Sequence, residues 1–468
     1  VKAAICRVSR QSFYGLVALT VAACGGGNSG GDGPVDPVST EFPIVANQIP
    51  TDNLVPDSER RVIPTAEVVP FRSDSPYASV LKECALATED TLCTNATLPY
   101  IGQEHTNPTI NDILNRVLVS HDWMGVRFAQ LLQLLPEESI ALFKPVTVIT
   151  IGSEVRPSVF NSWRGSIELD PYYLWLTLTE KRTISVDDDP RLAFGADLRF
   201  LNRWSYMKDN QRAYQFFSLS DDEERTLNDS LLPAASLLYH ELAHANDFVN
   251  PDFFPEINPE ATPRDMLDTF ASRRVSEVLQ NDASLSVQRS WLFGLAAVRF
   301  FDDEPNDDLL AFTPESAGAV MGNEGKPFFY SYSTIREDMA TLFETAMMKK
   351  HFNVELHTAY VEKPAGYPED YSCEELLIGW GEGNRLAAPL VVPRAKFVMD
   401  QVLGETAVNE NFFANGLGNA APLPVGDHWC NIIFPEITTA SSRKALTEKL
   451  ETDLYREQWR SVDHIREQ

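Results

Sequence analysis

Leu237-Leu238-Tyr239-His240-Glu241-Leu242-Ala243-His244-Ala245-Asn246-Asp247-Phe248 places two histidines four residues apart inside an apolar, helix-like pattern. On an α-helix, residues four apart lie about 40° apart around the axis and one turn along it. His240 and His244 therefore point to one side and can chelate one zinc ion. Glu241 sits about 100° from His240 and about 60° from His244, on the other flank. From there it can reach a water on the metal without being a ligand. Leu237, Leu238, Ala245 and Phe248 anchor the helix in a core, and the small Ala243 lets it pack closely beneath the metal.

This division of labour is what hydrolysis needs. Zinc lowers the pKa of its water and polarises a substrate carbonyl. Glu241 can take the proton during attack and return it to the leaving amine. The expected activity is zinc-dependent hydrolysis of peptide bonds, with Glu241 as general base and a peptide or protein as substrate.

A catalytic zinc needs a third protein ligand. Asp247 and Asn250 stand where the metzincin pattern would need Gly and then His or Asp. The later segment Phe328-Phe329-Tyr330-Ser331-Tyr332-Ser333-Thr334-Ile335-Arg336-Glu337-Asp338-Met339-Ala340-Thr341-Leu342-Phe343-Glu344 resembles the third-ligand helix of gluzincin peptidases. It is similar, more distantly, to that helix in toxin-type zinc peptidases such as anthrax lethal factor. The two matching stretches cover about a tenth of the chain. The resemblance implies a zincin-like α+β fold, with a small mixed sheet and a mainly helical remainder. It also implies Glu337 as third ligand, with the small Ala340 three residues on. Tyr330, seven residues before Glu337, becomes the donor to the transition-state oxyanion, with Tyr332 as the alternative. Asp247, three residues after His244, is expected to accept a hydrogen bond from a ligand histidine ring; a ligand role for it stays open. Thr341 departs from the pattern, since many gluzincins carry an acidic residue there. By fold analogy the strand Gly165–Leu169 is the edge that holds substrate by β-augmentation. A zincin-like binding or scaffold protein without turnover is the alternative function. Glu241 speaks against it, because a scaffold has no use for a base beside two ligands.

Outward from the motif, Ile110–Leu142 reads as helical with a break near Pro136, and Val146–Ile151 reads as a buried strand. Helices are then expected at Leu231–Val249, Met266–Gln280, Leu285–Phe301 and Thr334–His351. Further helices are expected at Pro393–Leu403 and Ser441–Arg460. Strands first and helices afterwards argue for α+β. The expected organisation is a catalytic domain over 76–372, with a helical extension over 373–468 packed on it.

The N-terminus reads as an address. Lys2, Arg7 and Arg10 precede the apolar run Phe13–Ala23, which is too short to span a bilayer. Val21-Ala22-Ala23-Cys24 followed by glycines resembles a bacterial lipobox, which implies a signal peptide over 1–23 and a lipid on Cys24. Residues 24–75, rich in Gly and Pro, read as a flexible tether. By the same resemblance, Gly25 after the cysteine points to the outer membrane, with the lipid as membrane anchor. Cys84, Cys93, Cys373 and Cys430 remain. They allow three connectivities, of which Cys84–Cys93 and Cys373–Cys430 are the local ones. The 468 residues are 44% hydrophobic, enough for a large core, and the net charge of -28 argues against nucleic acid as a partner.

Overall fold

Short β-branched runs bracketed by turn residues build the first of two sheets in the computed structural model, which describes residues 61–186, 194–215, 217–367 and 371–435. All of these fall in one unit, Ile44–Gln468. The leader, Cys24 and the expected helix Ser441–Arg460 lie outside the described residues.

The first sheet contains β1 (Val69–Pro70), β2 (Val117–Val119), β3 (Ile149–Ile151), β4 (Val159–Asn161) and β5 (Ser166–Leu169), in the order β1-β2-β3-β5-β4. The three inner strands are parallel, and β1 and β4 run antiparallel at the edges. Three sequence expectations change here. The helix expected over Ile110–Leu142 is interrupted by β2, whose Val117, Leu118 and Val119 are wholly buried. An unbroken apolar run suits a strand covered on both faces as well as it suits a helix, so periodicity alone misreads it. The strand Val146–Ile151 is regular only from Ile149, although Thr147 N–H already donates to Gly165 O at 2.8 Å. The fold also begins before Pro76: Val68 is buried, and β1 pairs with β2.

The second sheet contains β6 (Phe200–Lys208), β7 (Gln211–Arg212), β8 (Glu355–Glu362), β9 (Ile378–Gly383) and β10 (Ala421–Pro422). Its order is β10-β9-β8-β6-β7, antiparallel throughout. The reading of strands first and helices afterwards does not anticipate it. β8 returns directly from the helix Ile335–Phe352, which ends at Asn353 in the left-handed conformation (φ 52°). The architecture is therefore mixed α+β, with many helices and two small sheets.

The helix Leu227–Phe248 starts at Thr226. Its side chain accepts the Asp229 N–H, while the Asp229 carboxylate accepts the Thr226 N–H. A cap of this kind stabilises a helix by about 1 kcal/mol. From Ala234 to Phe248 every residue is buried, and the helix packs along Ile335–Phe352. The expected helix Met266–Gln280 is two short pieces, Asp265–Thr269 and Val275–Asn281, separated at the extended Arg274. The expected helix Leu285–Phe301 begins only at Trp291, where Ser290 caps it. Phe200, Phe300, Phe329 and Tyr360 form an aromatic core between the second sheet and the turn Phe329–Tyr332, with Phe328 packed on Trp204 of β6.

Cys84–Cys93 and Cys373–Cys430 lie at disulfide distance, with Cα separations of 5.3 and 5.9 Å. No break marks position 373. Arg394, on the helix Val392–Leu403, pairs with Asp338 across 56 residues of sequence. Among the described residues no helix is long and apolar enough to cross a membrane.

Candidate metal centre

The helix Leu227–Phe248 presents His240 and His244 one turn apart, with ring centroids 4.8 Å apart and Nε2 atoms 3.2 Å apart. The third group comes from Ile335–Phe352, capped by Thr334, whose hydroxyl accepts the Glu337 N–H at 3.0 Å. This cap fixes the first turn and so the origin of the Glu337 side chain. Glu337 Oε2 lies 3.0 Å from His240 Nε2 and 3.4 Å from His244 Nε2. Among the described residues, this buried group of His240, His244 and Glu337 could hold a metal ion.

Donors and acceptors decide what belongs between these atoms. His240 Nδ1 lies 3.2 Å from Glu344 Oε2, and an ionised carboxylate only accepts, so Nδ1 carries the proton. In the neutral ring Nε2 then offers a lone pair, aimed at a second acceptor, Glu337 Oε2. Such convergence is repulsive unless a cation, either a proton or a metal ion, sits at the centre. Ligand atoms bonded tetrahedrally to zinc at about 2.0–2.1 Å stand about 3.3 Å from one another, and the observed separations bracket that value. Glu337 Oε1 is buried with no hydrogen-bond partner. The residues present therefore fit a small divalent ion.

The electrostatics point the same way. Burial disfavours a charged His240 ring, but the Glu337 and Glu344 carboxylates outweigh it and raise its pKa to about 10. His244 is also raised, because Glu337 overcomes its burial. Burial pushes Glu337 up, yet the two rings hold it well below the usual carboxylate range. Glu241 behaves differently: burial wins and its pKa is raised, although the rings oppose the shift. Neither Glu241 oxygen has a hydrogen-bond partner. The backbone of Phe160 on β4 favours its charged form without meeting hydrogen-bond geometry.

Comparison with family models, with curated proteins and with solved structures finds no match.

The remaining site residues fall into place by contact. Tyr330 is buried with its ring 6.2 Å from that of His240, stacked at 30°. Tyr332 packs instead on Phe293 and lies beneath the Lys326 ammonium, so of the two tyrosines Tyr330 is the one beside the histidine. Asp247 does not meet a histidine ring. Its two oxygens accept the Ser276 N–H and hydroxyl, both at 2.7 Å, at the start of the helix Val275–Asn281. A short side chain at the end of its own helix finds the free N–H of a neighbouring helix start before it can reach back to a ring. The expected edge strand Gly165–Leu169 is also corrected: β5 lies inside the sheet between β3 and β4, and β4 is the edge that carries Phe160.

Sequence reasoning missed Glu344 as the partner of His240, although the spacing held a signal. Residues seven apart on a helix differ by only about 20° around the axis, so Glu344 shares the face of Glu337. It missed, too, that Asp338 is clamped by buried cations. Asp338 accepts from Lys326 Nζ at 2.8 Å and from Arg394 at 2.6 and 3.1 Å. Burial alone would neutralise Asp338, but Arg394 and Lys326 keep its pKa low, while burial lowers Lys326 to about 8.

Proposed function

We propose that this chain is a zinc-dependent peptidase of the zincin kind, with zinc held by His240, His244 and Glu337. The observation that carries this reading is the convergence of three acceptor atoms at 3.0–3.4 Å with the unpaired Glu241 carboxylate on their flank. A bound zinc ion supplies a Lewis acid for the carbonyl and an acidified water. Glu241 accepts the proton from the attacking water and returns it to the leaving nitrogen, and its raised pKa suits both transfers. Tyr330, beside His240, donates to the carbonyl oxygen as charge develops there. The edge strand β4 receives the substrate backbone by β-augmentation next to Glu241. The lipobox-like Val21-Ala22-Ala23-Cys24 supports a lipid-anchored protein of the bacterial envelope, at the outer membrane. The acidic balance argues against nucleic acid as a partner.

A second reading, a zincin-like scaffold without turnover, is favoured by one observation: His240, Glu241 and Glu337 show 0% exposure. The deciding experiment is metal analysis of the purified protein, together with turnover of a peptide library by wild type and Glu241→Gln. The peptidase reading expects about one zinc per chain in both proteins, with hydrolysis by wild type falling about 10²- to 10⁴-fold in the variant. Bound zinc with no peptide turned over would favour the scaffold.

A further inference from the structure

The His240 ring lies between two carboxylates: Nε2 faces Glu337 at the centre, and Nδ1 faces Glu344 behind it. The geometry points to Glu344 as a positioning residue: held by Tyr206 and Ser236, it fixes the His240 ring so that Nε2 faces the metal. One Glu344 oxygen takes the His240 Nδ1–H at 3.2 Å. The other accepts the Tyr206 hydroxyl at 2.7 Å and the Ser236 hydroxyl at 2.6 Å. Every member is wholly or almost wholly buried, so water does not compete for these bonds. Ser236 lies one turn before His240 on the same helix, and Tyr206 comes from β6. Two helices and the second sheet thus meet on one carboxylate.

The consequence is a choice of tautomer. Neutral imidazole carries one proton, and a metal ligand must keep it on the nitrogen away from the metal. Glu344 can only accept, so it holds that proton on Nδ1 and leaves Nε2 bare. Both hydroxyls donate to the other Glu344 oxygen, an arrangement that suits a carboxylate accepting at both oxygens. Thr341, four residues after Glu337, is engaged elsewhere. Its hydroxyl donates to Asp338 O at 3.0 Å and meets Ser331 Oγ at 2.8 Å.

This inference rests on the metal-site reading above, and its test reads metal affinity and not turnover. Zinc affinity would be measured by chelator competition for wild type and Glu344→Gln, with thermal midpoints recorded metal-free. The Gln amide keeps the size of the side chain but turns one acceptor into a donor. Zinc should bind about 10- to 100-fold more weakly, as expected when the partner of a ligand histidine is lost, and cobalt in the same site should show an altered visible spectrum. A merely structural role predicts a lower metal-free midpoint with zinc affinity and cobalt spectrum unchanged, and that result overturns the inference. If Glu344→Gln does not fold, the double variant Tyr206→Phe/Ser236→Ala decides: weakened zinc binding supports the role and unchanged binding overturns it. Weaker zinc binding in Glu344→Gln without any peptidase activity in wild type would sink only the peptidase reading. Full activity in wild type with unchanged zinc affinity in the variant would sink only the role of Glu344.

Discussion

On the proposed reading of the site, zinc and a proton compete for one place in it, so pH should set the apparent metal affinity. In the metal-free protein His240 holds its second proton up to about pH 10, because the Glu337 and Glu344 carboxylates outweigh its burial. Glu344 keeps the Nδ1 proton, so the one that must leave is on Nε2, between His240 and Glu337. Below about pH 10 each zinc bound should therefore release about one proton, and more where His244 is also charged. Release of one proton raises the apparent affinity about tenfold per pH unit, close to 1.4 kcal/mol. From pH 7 to pH 9 the gain is about 100-fold, or about 2.7 kcal/mol. Chelator competition across this range, with calorimetry in two buffers of different ionisation heat, reads both quantities. A flat affinity with no proton released would refute the argument, since the acceptors would then converge on an empty point. The same shift bears on folding. A raised His240 pKa stabilises the metal-free fold fully below the ordinary value of 6.5, and this is lost as pH rises through about 10. The depressed Glu337 acts oppositely: its contribution is present above the ordinary carboxylate value and is lost on acidification.

Other outcomes separate the residues around the centre. Glu337→Ala should lose most zinc affinity in the same competition assay, whereas Asp247→Ala should leave it unchanged. Asp247→Ala should instead cost about 1–3 kcal/mol in a urea melt, because it strips a buried N–H of its acceptor; the reverse ranking for zinc would make Asp247 the ligand. Asp338→Asn leaves Lys326 and Arg394 buried without their anion, so chemical denaturation should show a loss of about 3–5 kcal/mol; a loss under about 1 kcal/mol would mean that water reaches the cluster. Cys24→Ala should move the protein from the membrane to the soluble fraction, since acyl chains are the expected anchor; continued sedimentation after a salt wash would contradict a lipid anchor.

Much of the site is legible in residue spacing, and the parts that are not have physical reasons. The four-residue histidine spacing and the start of a helix near Thr334 are local features, and local geometry carries them into the structure. The helix Ile335–Phe352 can be read because its pattern is long. β2 cannot, because three consecutive buried apolar residues look alike in a strand and in a helix until their partners are known. β6 and β8 pair across about 150 residues of sequence, and spacing within either strand does not name the other. Asp247 departs from expectation for a related reason. It follows His244 by the three residues that the resemblance requires, but Ser276, the donor that captures it, lies 29 residues away.

The clamp on Asp338 has a temporal consequence. Chains are made from the N-terminus, so His240, His244 and Glu337 all exist before Arg394, which follows Asp338 by 56 residues. Until Arg394 arrives, Asp338 is an acid that lacks one of its two cations, beside the residue that must close the site. A chain interrupted before that point would carry all three proposed ligands and still lack one of the two cations that hold Asp338. Assembly of the proposed centre is thereby tied to synthesis of the chain through Arg394, so copies that stop before it should hold metal less tightly than copies that include it.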